Sequence, residues 1–289
     1  MTQTIPFWKV ESVGNDFVLV HEADVRALAK KDYERFLREL TISASERRFG
    51  IGSDGLLVVG PSGSDLNLRM FNPDGSEDFC GNGLRCATVH ATKQGWVGER
   101  FMIHHHGQNV QATVCGDDCV ETHLDSATYR PQDVPVKFRE EPKKTFDRKP
   151  LWTGLEVGGS SLSTGSTHTI LWTGALPDDP EFHRLGPLIE TDEQFPERTS
   201  VIWAIEEAPM KVRIRIWERG AGETLGCGTG ASAAAVDYLR RKNLGGSVEV
   251  ISKGGTLQIG APSWDAPLVV RGTAKELFSG KYLFNRAKG

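Results

Sequence analysis

The chain has 289 residues, 38% of them hydrophobic and 25% charged, a length that suits one large domain or two of half its size, with a core burying roughly three quarters of the unfolded surface. Its 34 Lys and Arg against 38 Asp and Glu leave a net charge of −4, which excludes a disordered polyelectrolyte and a polycationic scaffold for nucleic acid. The opening MTQTIPFWKVESVGND has neither a basic nor an apolar leader segment, and no apolar run approaches the ~18 residues of a membrane helix. No membrane partner and a cytoplasmic location are therefore expected. Five cysteines are too few, and odd in number, for a disulfide framework, which points to a reducing compartment where individual thiols act chemically.

In chain order, Gly14-Asn15-Asp16-Phe17-Val18-Leu19-Val20 reads as a turn entering an apolar strand. A helix is predicted over 25–40, capped by Asp24, with Leu28, Phe36, Leu37 and Leu40 on its core side. Gly50 to Gly55 spells GxGxxG but precedes the strand-like LLVV instead of joining a strand to a helix, so no dinucleotide site is expected. Alternating Leu66 to Phe71 reads as a strand and NPDGSEDF as a turn. Cys80-Gly81-Asn82-Gly83 then opens a helix, LRCATVHATKQ, that ends at Gly95 and keeps Cys86 in the core. Adjacent residues of a strand point to opposite faces, so His104, His105 and His106 cannot converge on one metal and read as a polar strand end. Cys115 and Cys119, with Gly116-Asp117-Asp118 between them and no second ligand pair, read as a hairpin tip. The segment Pro131 to Pro150, rich in proline and charge, reads as a linker.

The second half repeats the first. Gly165-Ser166-Thr167-His168-Thr169-Ile170-Leu171 matches the opening turn and strand, and Val212 to Trp217 matches the alternating strand. The Gly-rich ERGAGETLG leads to Cys227-Gly228-Thr229-Gly230 and a helix, ASAAAVDYLRRKN, with Arg240, Arg241 and Lys242 in its last turn and Gly245-Gly246 at its end. Two ordered matches half a chain apart imply a duplication. Residues 228–239 are apolar or small almost all round, as in a helix surrounded by protein. Each half is therefore expected to be a curved, mostly antiparallel sheet wrapped around a central helix, an α+β architecture of two pseudo-symmetric domains facing each other, 1–129 and 130–274.

A cysteine at a helix start feels unsatisfied N–H groups and the positive dipole end, which favour its thiolate as a nucleophile or base. The glycines beside it let backbone N–H groups approach an anion such as a carboxylate. Two such thiols around one carboxylate suit proton exchange at the adjacent carbon: a thiolate removes the proton from one face and a thiol donates to the other, while the N–H groups stabilise the developing charge. This chemistry requires no cofactor.

The motifs FNPDGSEDFCGNGLRCA, WERGAGETLGCGTGASAAA and VGNDFVLV resemble those of the diaminopimelate epimerase family, cofactor-independent two-thiol enzymes of lysine and cell-wall precursor biosynthesis. Similarity extends over most of the chain, including RLGPLIETDEQFPER at 184–198 and SKGGTLQI at 252–259. The resemblance implies the two-domain fold above with 275–289 returning to the first domain, an active site in the cleft between the domains, a small amino acid as partner, and conversion of LL-diaminopimelate to the meso form. It assigns Cys80 and Cys227 as the acid–base pair and Asn15 to the reacting amino-acid end. Gly81, Asn82, Gly228 and Thr229 would hold the carboxylate there, and Asn72, Glu218 and Arg219 the distal end. The family usually has Gly-Asn-Pro-His where this chain has Gly165-Ser166-Thr167-His168, and an asparagine where Ser200 stands; the spacing from Asn72 to Cys80 is one residue shorter. Ser166 and Ser200 would then line the substrate site. The alternatives are a racemase or epimerase of another amino acid and a non-catalytic amino-acid-binding protein; the sequence leaves room for a homodimer.

Overall fold

Stretches in which β-branched and aromatic residues alternate with polar ones form strands in the computed structural model, which describes residues 2–29, 32–130, 132–137 and 158–285. Two compact units divide the chain, one running to Thr122 and resuming at Gly272, the other spanning His123–Arg271. In order the elements are β1 (Thr2–Ser12), β2 (Asn15–His21), α1 (Glu22–Ala29), α2 (Tyr33–Ser45), β3 (Leu56–Ser62), β4 (Asp65–Phe71), α3 (Gly81–Lys93), β5 (Arg100–His105), β6 (Gln108–Val114) and β7 (Cys119–Leu124). There follow β8 (Gly158–Ser163), β9 (Thr167–Trp172), α4 (Asp179–Glu190), β10 (Ser200–Ala208), β11 (Lys211–Glu218), β12 (Gly222–Thr224), α5 (Gly228–Lys242), β13 (Gly246–Ser252), β14 (Gly255–Ala261), β15 (Leu268–Thr273) and β16 (Lys275–Asn285).

The first unit orders its strands β16-β1-β2-β3-β4-β5-β6-β7; the second orders them β15-β14-β13-β11-β10-β9-β8, with β12 on β11. The same alternation runs through both. Most neighbours are antiparallel, but β2–β3 and β4–β5 in the first unit, and β9–β10 and β11–β13 in the second, are parallel. Parallel neighbours need a crossover rather than a tight turn. Each crossover here carries a helix: α1 and α2, then α3, in the first unit, and α4, then α5, in the second. The duplicated sequence thus encodes a duplicated topology, and the Cys-Gly-x-Gly motif sits at the start of the same crossover helix in each unit.

That helix is the centre of its unit. Residues Asn82 to Ala91 of α3 and Gly228 to Leu239 of α5 are all buried, and α3 touches β1, β2, β3, β4, β6 and β16 while α5 touches β8, β9, β10, β11, β13 and β14. A helix that meets so many strands of one sheet must have the sheet wrapped around it. The remaining helices cover the sheets elsewhere: α1 and α2 pack Val25, Phe36, Leu37 and Leu40 against Ile5, Val18 and Val58, and α4 packs Phe182, Leu185 and Ile189 against Val201 and Trp203.

The helix expected over 25–40 is two helices. Asp24 lies in the first turn of α1, and the capping aspartate is Asp32, whose carboxylate accepts from the Arg35 backbone N–H at the start of α2 at 3.3 Å. A short acidic side chain that satisfies exposed helix-start donors competes with helix continuation. At the end of α5 the left-handed residue is Asn243 rather than a glycine, since its side chain tolerates φ of 54°. Cys115 and Cys119 flank the hairpin tip between β6 and β7 as expected, with the Cys115 N–H donating to the Cys119 carbonyl at 2.9 Å. They are also joined in a disulfide, their Cα atoms 5.1 Å apart, a bond the reading of the five cysteines as individual thiols did not foresee. Cys80, Cys86 and Cys227 are thiols. Most of the expected linker, including Pro131, Pro150 and residues 138–149, lies outside the described residues.

Candidate active site

Cys80 is the N-cap of α3, with φ −140° and ψ 108°, and its Sγ accepts from the Gly83 backbone N–H at 3.3 Å. Cys227 is the N-cap of α5, with φ −134° and ψ 120°, and its Sγ accepts from the Gly230 N–H at 3.4 Å. Each sulfur thus replaces the oxygen that usually caps a helix and rests on the positive end of the backbone dipoles. The second glycine of each motif is a packing requirement. A Cβ at Gly83 would lie 3.0 Å from Leu57 Cδ2 and 3.6 Å from the Cys80 sulfur; one at Gly230 would lie 3.0 Å from Ile202 Cδ1 and 3.5 Å from the Cys227 sulfur. Both thiols are half-buried, whereas Cys86, nearly two turns along α3, is fully buried and burial pushes its thiol well up.

In the first unit the backbone N–H groups of Gly81 and Asn82 belong to the opening turn of α3. The Asn82 side chain accepts from the buried Arg85 guanidinium, whose Nε donates to Ser12 Oγ at 3.0 Å, so Asn82 is held inward. Asn15 begins β2 opposite Ser12, and its Oδ1 is buried with no hydrogen-bond partner among the described residues. Asn72 follows β4 in a tight loop: Gly75, at φ 85°, donates its N–H to the Asn72 carbonyl at 2.8 Å, and Asn72 Nδ2 donates to Ser76 Oγ at 3.1 Å. His105 departs from the polar strand end expected of it. It shares the inner face of β5 with Phe101 and Ile103, is 1% exposed, and accepts the Cys80 backbone N–H on Nε2 at 3.0 Å.

In the second unit Thr229 Oγ1 lies 3.3 Å from Cys227 Sγ, 3.4 Å from His168 Nε2 and 3.4 Å from Ser166 Oγ. His168 Nδ1 faces the Ser166 carbonyl at 2.8 Å, which places its proton on Nδ1 and leaves Nε2 as an acceptor. Ser166 is therefore tied to the Cys227 neighbourhood through its hydroxyl. Ser200 opens β10, and its Oγ accepts the Arg219 backbone N–H at 3.1 Å. Arg219 also donates Nη1 to the Glu197 carbonyl at 3.1 Å, and Thr224 Oγ1 donates to the Glu218 carboxylate. The loop carrying Glu218 and Arg219 hangs on Glu190, a buried carboxylate that pairs with Arg198 and accepts from Gly220 N–H at 2.8 Å and Trp217 Nε1 at 2.7 Å. Glu190 lies within the segment 184–198 that resembles the family, but nothing in its local pattern assigned it this role. For His105 the signal was present in the alternation of β5.

Burial lowers both imidazoles, His105 to about 4 and His168 to about 4 from an ordinary value of 6.5. His21 and His90 are lowered too, again by burial first. The folded state holds these rings neutral while the unfolded chain takes up protons near pH 6.5. Their contribution to stability is therefore complete above that pH and is lost as pH falls from 6.5 towards 4, at most about 3 kcal/mol for each of the two deepest rings. The urea midpoint is expected to fall clearly between pH 7.5 and pH 5; a midpoint that stays or rises would contradict the neutral assignment.

The family model described as diaminopimelate epimerase matches residues 7–129 and 162–275, the segments that hold both capped thiols. The chain belongs to the diaminopimelate epimerase family. It is 35% identical to a diaminopimelate epimerase of Carboxydothermus hydrogenoformans, over 96% of this chain and 98% of that one, and 34% identical to one of Pelotomaculum thermopropionicum with the same coverage. Among solved structures it resembles a hydroxyproline epimerase from Agrobacterium vitis with a TM-score of 0.66 at 14% identity, covering 98% of this chain and 92% of that chain. A Bacillus anthracis protein of the PhzF family gives 0.64 at 16%, covering 98% and 100%. At such identities the likeness is one of fold. The diaminopimelate epimerase architecture of sheets around central helices is thus shared with proteins described as racemases and epimerases.

Proposed function

We propose that the protein is an isomerase that converts LL-2,6-diaminopimelate to the meso form without a cofactor, with Cys80 and Cys227 as its acid–base pair. The observation that carries this reading is the matched pair of cysteine N-caps, alike in backbone angles and in the N–H each sulfur accepts, in a chain of this family. One thiolate takes the α-proton, the electron pair of the C–H bond stays on carbon, and the other thiol delivers its proton to the opposite face. The two sulfurs end the turnover with their protonation states exchanged, so each direction of reaction starts from the opposite form.

The α-carbon of an amino acid is a weak acid, and charge spreading into the carboxylate must be stabilised as it forms. The backbone N–H groups of Gly81, Asn82, Gly228 and Thr229 supply fixed donors without reorganisation. Asn15 Oδ1, buried and without a partner among the described residues, suits the substrate ammonium. Glu218, Arg219 and Asn72 supply an anion, a cation and an amide for a second amino-acid head group, with Ser200 holding the Arg219 backbone N–H and Ser166 next to Thr229. The biosynthetic substrate fits a cytoplasmic enzyme. An amino-acid-binding protein would have no use for two capped thiols. The test is to incubate the reduced protein with LL-diaminopimelate in deuterated water. Deuterium at the α-carbon together with meso product is expected, and the absence of both would overturn the assignment.

A further inference from the structure

Building on Cys80 as an acid–base thiol, we propose that His105 is a positioning residue for it, holding the Cys80 peptide through an N–H to Nε2 hydrogen bond so that the sulfur stays seated on the start of α3. The N-cap residue's own N–H has no acceptor inside the helix it begins, and left alone the Phe79–Cys80 peptide would be free to turn. The imidazole removes that freedom. In the parallel pairing of β4 and β5, His105 stands opposite Leu68, and its Nδ1 lies 3.1 Å from the Leu68 carbonyl. That carbonyl can only accept, so the proton sits on Nδ1 and the Nε2 lone pair faces the Cys80 N–H at 3.0 Å.

The ring itself cannot swing. It is 1% exposed and stacked on Phe79, the residue before Cys80, with centroids 5.0 Å apart and planes at 26°. Strand register, imidazole and peptide plane thus form one rigid chain from β4 to the cysteine. Fixing the peptide fixes the Cα–Cβ direction of Cys80, and hence the 3.3 Å approach of Gly83 N–H to Sγ. The second unit brings its imidazole by another route, since His168 lies beside Thr229 Oγ1, which touches the Cys227 sulfur. Removing the His105 acceptor should therefore disturb one thiol and spare the other.

Two substitutions separate the acceptor from the ring. His105→Phe keeps an aromatic ring against Phe79 but offers no lone pair; His105→Gln places an amide oxygen at a similar reach to Nε2. Iodoacetamide labelling resolved by peptide mass spectrometry reads the two thiols separately in one sample. In His105→Phe, labelling of Cys80 at pH 7 is expected to slow about tenfold, with kcat falling similarly and KM within about twofold, the scale of one lost ordering hydrogen bond. Cys227 labelling should not change, and His105→Gln should recover most of both losses. If Cys80 labels at the wild-type rate in a folded His105→Phe, the proposal is wrong. In the unmodified protein, a nuclear scalar coupling between the Cys80 amide nitrogen and His105 Nε2 is expected, and its absence would also overturn the proposal. Retention of inversion by a Cys80→Ala variant would instead remove Cys80 from catalysis while leaving the labelling and coupling results to judge His105.

Discussion

Cys80→Ala and Cys227→Ala will each abolish stereoinversion while the protein stays folded. Inversion needs one proton carrier for each face of the carbon, and a positioned acid or base contributes roughly 10² to 10⁴ in rate. Loss of either carrier should therefore cost at least about a hundredfold in kcat once racemisation by solvent is subtracted. The structural cost is smaller. Each sulfur accepts one helix-start N–H, from Gly83 or Gly230, and losing a cap costs on the order of 1 kcal/mol. Circular dichroism and urea unfolding should show a native protein slightly less stable than the parent, and chiral chromatography should show no meso product. If either variant inverted its substrate at near the parent rate, the two-thiol mechanism would fail.

Arg219→Ala will impair turnover of LL-diaminopimelate severely, and the parent enzyme will discriminate strongly against L-lysine, which lacks the second carboxylate. The side chain is presented by a prefolded loop: Ser200 holds its backbone N–H, the Glu197 carbonyl holds its guanidinium, and Glu190 pins Gly220 and Trp217 on either side. A guanidinium arranged in advance loses little freedom when it meets a carboxylate and bonds it with two parallel donors. Losing such a charge-assisted contact costs roughly 1.5–3 kcal/mol, about ten- to a hundredfold in kcat/KM. Ser200→Asn is expected to be tolerated, because an amide oxygen can accept the same Arg219 N–H. Equal or better activity on lysine would sink diaminopimelate as the substrate and leave a racemase of another amino acid.

Short-range patterns carried a large part of this protein. The alternation of Leu66 to Phe71 and Val212 to Trp217, the Cys-Gly-x-Gly helix starts and the fully small or apolar face of 228–239 depend on neighbours a few residues away, so strand, cap and buried helix were legible directly. Their recurrence half a chain apart identified the duplication, and with it the paired thiols. Other features depend on which distant segments come together, and only the tertiary structure decided them. Asp32 caps a second helix within the span 25–40 where α1 packs on β1, β2 and β3 while α2 packs on β2, β3 and β16. Cys115 and Cys119 pair because an antiparallel hairpin brings their Cα atoms to 5.1 Å. His105 faces Cys80 only because β5 lies parallel to β4 in the register that puts it opposite Leu68, and Glu190 reaches Gly220 only where α4 packs on β11 and β12. Sequence alone determined which residues have the chemistry to move a proton, because that is a property of side chains and local backbone; the fold decided which groups hold them still, because that depends on register between strands far apart in the chain.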